Sequence, residues 1–331
     1  MKKRQRALVT GGCGFIGSHM VDLLLDEDYE VIVIDNLVCG NTNNLKHHKN
    51  NPLLKFEKLD IRNIKTNTSI FKNIDYVFHF AGIGDIVPSI ERPEEYISVN
   101  VMGTLRILEC SRQSNIRKFV YAASSSCYGL ANTPTDENHI IQPLYPYAIS
   151  KHHGAELVRY WNAIYNVPYN IICIFNAYGP RVKTAGAYGA VFGVFLKQKL
   201  ENKPYTVVGD GTQKRDFIYV TDLVRAFYLA AISKVNSEVF NVGSGNPQTI
   251  NRLIELIGEG DKVYLPFRPG EPLITHADTS KIKKILKWKP CVSFENGVDE
   301  MLKNISYWKN APLWDKEKIN DATKEWLKYL K

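Results

Sequence analysis

Short apolar runs recur through the first half of the chain, separated by stretches with helical spacing. The runs cover residues 7–10, 31–35, 53–60, 76–80, 119–123 and 171–175. Most are apolar throughout rather than alternating, which predicts strands buried on both faces and hence a parallel sheet. Between them, Ile16, Met20, Leu23 and Leu24 share one helical face, and residues 101–110 and 150–165 read as further helices. Strand, glycine turn, helix, strand, in that order, predicts an α/β doubly wound (Rossmann-type) parallel sheet. After about residue 175 the rhythm changes, and Gly, Pro and Tyr become frequent up to Pro204. One later apolar run, residues 239–242, is placed to return to the sheet. The expected organisation is a nucleotide-binding unit over 1–178, with a returning segment near 216–245. A smaller mixed unit over 179–331 is interleaved with it.

The first turn carries the first chemistry. Gly11-Gly12-Cys13-Gly14-Phe15-Ile16-Gly17 follows the first strand and opens the first helix. Glycines there let the chain turn tightly, approach a diphosphate without Cβ obstruction and pack the helix against the sheet. The second strand ends in Asp35, eighteen residues beyond Gly17, with Asn36 beside it. A carboxylate at that distance accepts from ribose hydroxyls and repels a 2′-phosphate, so NAD is the expected cofactor. Asp60-Ile61 after the third strand fits two readings equally, a partner for the adenine or a helix N-cap. His79 lies inside an apolar strand and reads as a core histidine rather than a catalytic one.

Composition narrows the class. The chain has 331 residues, 44% hydrophobic and 23% charged, ordinary for a globular protein and unlike a disordered or disulfide-framework chain. No apolar run approaches a membrane span, and the basic start is followed by only Ala7-Leu8-Val9, so neither a membrane partner nor a signal peptide is expected. Six cysteines form no CxxC pair and no metal-ligand spacing; free thiols in a reducing cytoplasm and no metal are the expectation. The net charge of +8 is concentrated: residues 1–6 and 281–289 together carry nine basic side chains and no acid. Such an excess reads as solvated segments, not as a nucleic-acid surface.

Tyr147 and Lys151 stand four apart, on one face if helical. An ammonium one turn from a phenol stabilises the phenolate, and a phenol tuned toward neutral pH is a usable base for an alcohol proton. Ser124-Ser125-Ser126 follows the strand over 119–123, at the edge where parallel sheets bind ligands. A hydroxyl there can donate to a developing alkoxide, although three small residues also suit a plain strand-to-loop transition.

Together these stretches resemble the extended short-chain dehydrogenase/reductase superfamily, in its sugar-nucleotide epimerase/dehydratase branch and closest to nucleotide-sugar 4-epimerases. Asn176-Ala177-Tyr178-Gly179-Pro180-Arg181, residues 215–222, Arg268-Pro269-Gly270-Glu271 and residues 277–281 extend the resemblance over nearly the whole chain. It implies Ser124 as the active-site hydroxyl, Tyr147 as the base and Lys151 as its helper. It implies a cofactor site of Gly11, Gly14, Phe15, Ile16, Gly17, Asp35, Asn36, Asp60, Ile61, Phe80, Ala81, Gly82, Asn100 and Phe175, with Tyr147 and Lys151. Ser89, Ser125, Ser126, Asn176, Arg215, Arg268 and Glu271 are implied for a nucleotide-sugar substrate. Arg215 also fits a plain salt bridge to nearby carboxylates. Residues 184–198 and the stretch around Arg268 are expected to contact nucleotide and sugar.

Dehydratases of this branch carry Asp-Glu where Ser125 and Ser126 stand, and decarboxylases carry Glu at Ser126. An epimerase needs no second acid or base, so the resemblance implies inversion at carbon 4 through a 4-keto sugar. The runner-up is an oxidoreductase releasing the 4-keto product; a binding-only relative would be expected to lose Tyr147 or Lys151. The family's usual four-helix pairing implies a homodimer through 101–111 and 150–165.

Overall fold

The computed structural model describes residues 4–182 and 191–330. Seven parallel strands form the central sheet: β1 (Arg6–Thr10), β2 (Glu30–Asp35), β3 (Leu54–Lys58), β4 (Tyr76–His79), β5 (Lys118–Ser124), β6 (Tyr169–Ile174) and β7 (Glu238–Val242). Their order is β7-β6-β5-β4-β1-β2-β3. The apolar run near residue 240 therefore does return to the sheet, pairing along β6. The third strand is shorter than the sequence predicts. It lies at the sheet edge with Lys55, Phe56 and Lys58 exposed, and it ends before Asp60, which caps a short turn instead.

Both sheet faces are covered, as unbroken apolar strands require. On one face α1 (Phe15–Asp26) lies beside a later helix, Val220–Ile232. Met20, Leu24, Val33, Phe78, Leu223, Phe227 and Phe240 form that core. On the other face α2 (Gly103–Gln113) and α3 (Pro146–Tyr165) pack through Ile107, Leu108 and Val158 against Leu8, Val77, Phe119 and Tyr121. α3 begins four residues before the helix read from the sequence. Pro146 takes its first position, where a missing N–H costs nothing, and Tyr145 caps it in an extended conformation. A separate core of Phe192, Phe195, Tyr205, Val207, Phe217, Leu253, Ile254, Trp308 and Trp326 lies beyond the carboxyl ends of the strands.

Polar pins join these parts. The buried Asp216 carboxylate accepts from the backbone N–H groups of Ser244, Gly245 and Ala277 and from the Ser244 hydroxyl. Asp222 accepts from the N–H groups of Cys291 and Val292. His79 is a core histidine with hydroxyl partners. The Thr104 hydroxyl donates to the Asn100 carbonyl at 2.6 Å, so His79 Nε2–H must donate to Thr104 Oγ1 at 2.9 Å. Nδ1 then accepts from the Thr10 hydroxyl at 2.7 Å.

Burial, aided by the Lys151 charge, holds the His79 pKa down at about 3. An unfolded histidine titrates near 6.5, so the unfolded chain takes up a proton that the folded chain refuses. His79 therefore contributes stability above pH ~6.5 that is lost as pH falls toward 3, at about 1.4 kcal/mol per pH unit. Urea unfolding at pH 6.5 and 4.5 should show this loss, and His79→Gln should remove about one proton's worth of the slope. An unchanged slope in the variant would contradict a buried neutral imidazole.

Candidate active site

Two clefts open at the carboxyl ends of the strands and meet at Gly84 and Asp85. The first, of about 380 Å³, is built on the glycine turn. Gly11 has φ +70°, and a Cβ there would lie 2.8 Å from the Ala81 nitrogen. α1 has Gly14 at its N-cap, with no capping side chain and no acid in its first turn. Its early N–H donors thus have no side-chain acceptor, the condition under which a helix start takes a diphosphate. Asp35 ends β2 and is nine-tenths buried. Burial raises its pKa, opposed by N–H bonds from Leu37 at 2.8 Å and Cys13 at 3.0 Å. Asp60 accepts from the Arg62 guanidinium and backbone and from the Asn36 amide. The Arg62 bonds hold its carboxyl well below the usual range; Asp60 caps a turn, as one of its two readings has it, and also lines the cleft.

The residues present fit a dinucleotide: a Cβ-free diphosphate turn, open helix donors, and an acceptor at the end of β2. Gly11, Gly14, Phe15, Ile16, Gly17, Asp35, Asn36, Asp60, Ile61, Phe80, Ala81, Gly82, Tyr147 and Lys151 all line this cleft. Asn100 and Phe175 do not. Asn100 is buried behind the wall, where its amide exchanges two bonds with the Ile83 backbone and donates to Ser150 Oγ. Ser150 donates in turn to the Tyr147 carbonyl. Asn100 thus braces the loop at 83 and the first turn of α3 together. Phe175, one residue past β6, faces the second cleft.

Tyr147 stands in the first turn of α3 and Lys151 one turn later. The Lys151 ammonium is buried, 4.6 Å above the Tyr121 ring, and burial lowers its pKa to about 8. Burial pushes the Tyr147 phenol up, and a hydrogen bond from Ser124 pulls it back. Ser124 ends β5, and its Oγ accepts from the Ser126 N–H at 3.2 Å. Tyr147 and Lys151, with Ser124 beside them, thus gather groups able to carry a proton at the wall of the first cleft.

The second cleft holds about 410 Å³. Ser125, Ser126, Asn176, Arg215, Arg268 and Glu271 line it, as does Tyr145. Arg215 contacts Glu271 at 3.0 Å and Arg268 contacts the other Glu271 oxygen at 3.6 Å, so the trio presents one net positive charge. Asn176 Oδ1 accepts from the Thr275 hydroxyl at 2.7 Å. Ser89 is buried beneath the cleft wall and donates to the Ile86 carbonyl at 2.6 Å. Of the stretch 184–198, residues 184–190 lie outside the described residues; Val191, Phe192, Val194 and Phe195 line the cleft. Sequence reasoning missed Tyr145 and Trp326. Their rings meet at 5.5 Å, and the Trp326 indole donates to the Pro269 carbonyl. Nothing local marks either residue, because the contact closes a loop across most of the C-terminal half.

A dinucleotide-shaped cleft with a Tyr–Lys pair in its wall, meeting a second cleft lined by two arginines, defines an enzyme of the short-chain dehydrogenase/reductase class. Residues 7–243 match the NAD dependent epimerase/dehydratase family, and the chain belongs to that family. Its relatives include a putative UDP-glucose 4-epimerase of Methanocaldococcus jannaschii, 38% identical over 92% of this chain and 98% of the relative. Among solved structures it is similar to the UDP-N-acetylglucosamine 4-epimerase of Methanobrevibacter ruminantium, in complex with UDP-N-acetylmuramic acid. That match has a TM-score of 0.86 and 35% identity over 93% of this chain and 98% of the other. The UDP-glucuronic acid 4-epimerase of Bacillus cereus, in complex with UDP-glucuronic acid and NAD, matches with a TM-score of 0.86. Identity there is 33%, over 91% and 99% of the two chains.

Proposed function

We infer that this chain is an NAD-dependent epimerase that inverts carbon 4 of a nucleotide-linked hexose or N-acetylhexosamine. The observation that carries the reading is the pairing of Tyr147 and Lys151 with a cleft whose two positions after β5 are the hydroxyls Ser125 and Ser126. Among the described residues, the carboxylates lining that cleft are Asp85 and Glu271, and Glu271 is engaged by two arginines. Elimination or decarboxylation chemistry has no acid directly after the strand to use. The runner-up, an oxidoreductase releasing the 4-keto product, shares every one of these residues and is separated from the epimerase by product analysis.

NAD held by the glycine turn and Asp35 would supply a reversible hydride acceptor for carbon 4. Tyr147, as phenolate, takes the proton of the 4-hydroxyl and gives it back to the inverted alcohol. Lys151 stabilises the phenolate, as does the positive charge of the oxidised cofactor. Ser124 donates to the ketone oxygen. Arg215 and Arg268 hold the diphosphate while the sugar turns to present its other face. The UDP-sugars named for the relatives are the first substrates to offer. NMR of products from UDP-glucose, UDP-N-acetylglucosamine and UDP-glucuronate, with and without added NAD, tests the reading. No inversion at carbon 4 of any of them, nor of GDP or dTDP counterparts, would sink it.

Arg215→Ala tests the diphosphate role. It should weaken inhibition by UDP by some thirtyfold, the about 2 kcal/mol expected when one partner of a buried charge pair is truncated. An unchanged inhibition constant would make Arg215 only the partner of Glu271.

We also propose a homodimer. Tyr160 and Ile164 on α3 are 57% and 62% exposed, and Met102 just before α2 is 47% exposed. An apolar stripe of this kind supports helix pairing between copies. Light scattering should report a dimer that Tyr160→Glu/Ile164→Glu converts to monomer; a monomeric parent chain would refute it. The free thiols of Cys13, Cys39, Cys110, Cys127, Cys173 and Cys291 support a reducing, cytoplasmic setting. Among the described residues no helix is long and apolar enough to cross a membrane. A role in polysaccharide biosynthesis follows from the proposed substrate class.

A further inference from the structure

Away from both clefts, three donor atoms converge on one point. Asp22 sits on α1, and His47 and His48 end the short helical turn Thr42–His48. His47 Nε2 lies 2.8 Å and His48 Nε2 2.9 Å from the same oxygen, Asp22 Oδ1. All three donor atoms lie within 4.8 Å of one another. The other Asp22 oxygen accepts from the Arg181 guanidinium at 2.7 Å. His47 is exposed, so the cluster is open to solvent on one side.

We propose that Asp22, His47 and His48 form a binding site for one divalent first-row transition ion, such as Ni²⁺ or Zn²⁺. Two imidazoles and one carboxylate suit that class, whereas Mg²⁺ and Ca²⁺ prefer all-oxygen shells. Adjacent corners of an octahedron with bonds of ~2.1 Å are ~3 Å apart, close to the separations seen here. Each imidazole binds through Nε2 with its proton on Nδ1, and water completes the shell on the exposed side. Burial pushes the Asp22 carboxyl up, but the Arg181 charge and the three hydrogen bonds outweigh it and keep the carboxylate ionised. Arg181 also orients that carboxylate from its far oxygen, the role an outer partner plays in metal sites. Its positive charge opposes the ion, so the site is one of exchangeable binding rather than a closed structural centre.

The placement couples the ion to the cofactor cleft. α1 begins at the diphosphate turn, and the His47–His48 turn continues the chain that lines the cleft at Asn36, Val38, Cys39 and Gly40. Asn41 and Asn44 both donate to the Cys13 carbonyl, tying that chain back to the glycine turn. An ion at Asp22, His47 and His48 cross-links the two walls.

Calorimetric titration of the EDTA-stripped chain with Ni²⁺ or Zn²⁺ tests the site, and Co²⁺ absorption gives a spectroscopic reading independent of activity. One ion per chain is expected, with at least tenfold weaker binding in His47→Ala and in His48→Ala and none in the double variant. These changes leave the Asp22–Arg181 pair intact, and a thermal shift with metal should appear in the parent chain only. His152→Ala/His153→Ala removes another pair of adjacent histidines, on α3 at the other sheet face, and should change nothing. No binding, or binding that follows His152 and His153 instead, would overturn the proposal.

Discussion

Tyr147→Phe should lower turnover by roughly 10³-fold while the chain still binds NAD, because only a proton-carrying oxygen is removed. The ring remains, and its edge-on contact with Tyr96, at 6.4 Å between centroids, does not need the hydroxyl. α3 should also be undisturbed: its start rests on Pro146, on the Ser150 bond to the Tyr147 carbonyl and on Asn100, none of which involves the phenol. The neighbours point to the same outcome. Burial alone drives the phenol and the Lys151 ammonium toward their neutral forms, and Ser124 is the one described hydrogen bond that opposes this for Tyr147. A site that works at neutral pH therefore needs Tyr147, Lys151 and Ser124 as a unit, together with the charge of the oxidised cofactor. The check is turnover of the accepted nucleotide sugar beside NAD content released on denaturation. Retained turnover would remove Tyr147 from its role as base; lost NAD would mean that the phenol anchors the cofactor instead.

Gly17→Ala should cost the chain its cofactor. A Cβ at Gly17 would lie 2.2 Å from the Gly11 carbonyl oxygen and 2.9 Å from the Gly12 Cα. Both contacts are backbone, so no side-chain rotation relieves them. The turn must move away from α1, and the N–H donors meant for the diphosphate move with it. Overpacking of this kind costs about 1–3 kcal/mol, and NAD binding should weaken on the order of 10²-fold, about 2.7 kcal/mol. Fluorescence titration with NADH and a melting curve measure the two effects together. Gly84→Ala is the control: a Cβ there meets nothing within 4 Å, although Gly84 lines both clefts. Equal NAD affinity in the Gly17 variant and the parent chain would show that the close approach is not used for the cofactor.

Much of the cofactor cleft was legible because its instructions are local. Gly11 to Gly17 must turn within a few residues, Asp35 ends the next strand, and Tyr147 and Lys151 need only one helical turn to align. The strands were legible because burial on both faces removes polar residues from them. The edge strand β3 was read too long because exposure on one side restores a mixed pattern there. Resemblance alone places Asn100 at the cofactor wall. In the fold its amide is spent on Ile83 and Ser150, a choice made by two segments far from it in sequence.

The sequence by itself determined the sheet, the glycine turn, the preference for NAD and the Tyr–Lys spacing, since each depends on short-range pattern along the chain. Tertiary structure decided the rest. It set Arg215 and Arg268 on a shared Glu271, brought Trp326 onto Tyr145, gathered Asp22 with His47 and His48, and closed the Asp216 carboxylate onto two separate segments, at 244–245 and at 277. Apart from Arg268 and Glu271, three residues apart, those contacts join residues tens to hundreds of positions apart. Their geometry follows from how the whole chain packs, which no local pattern encodes.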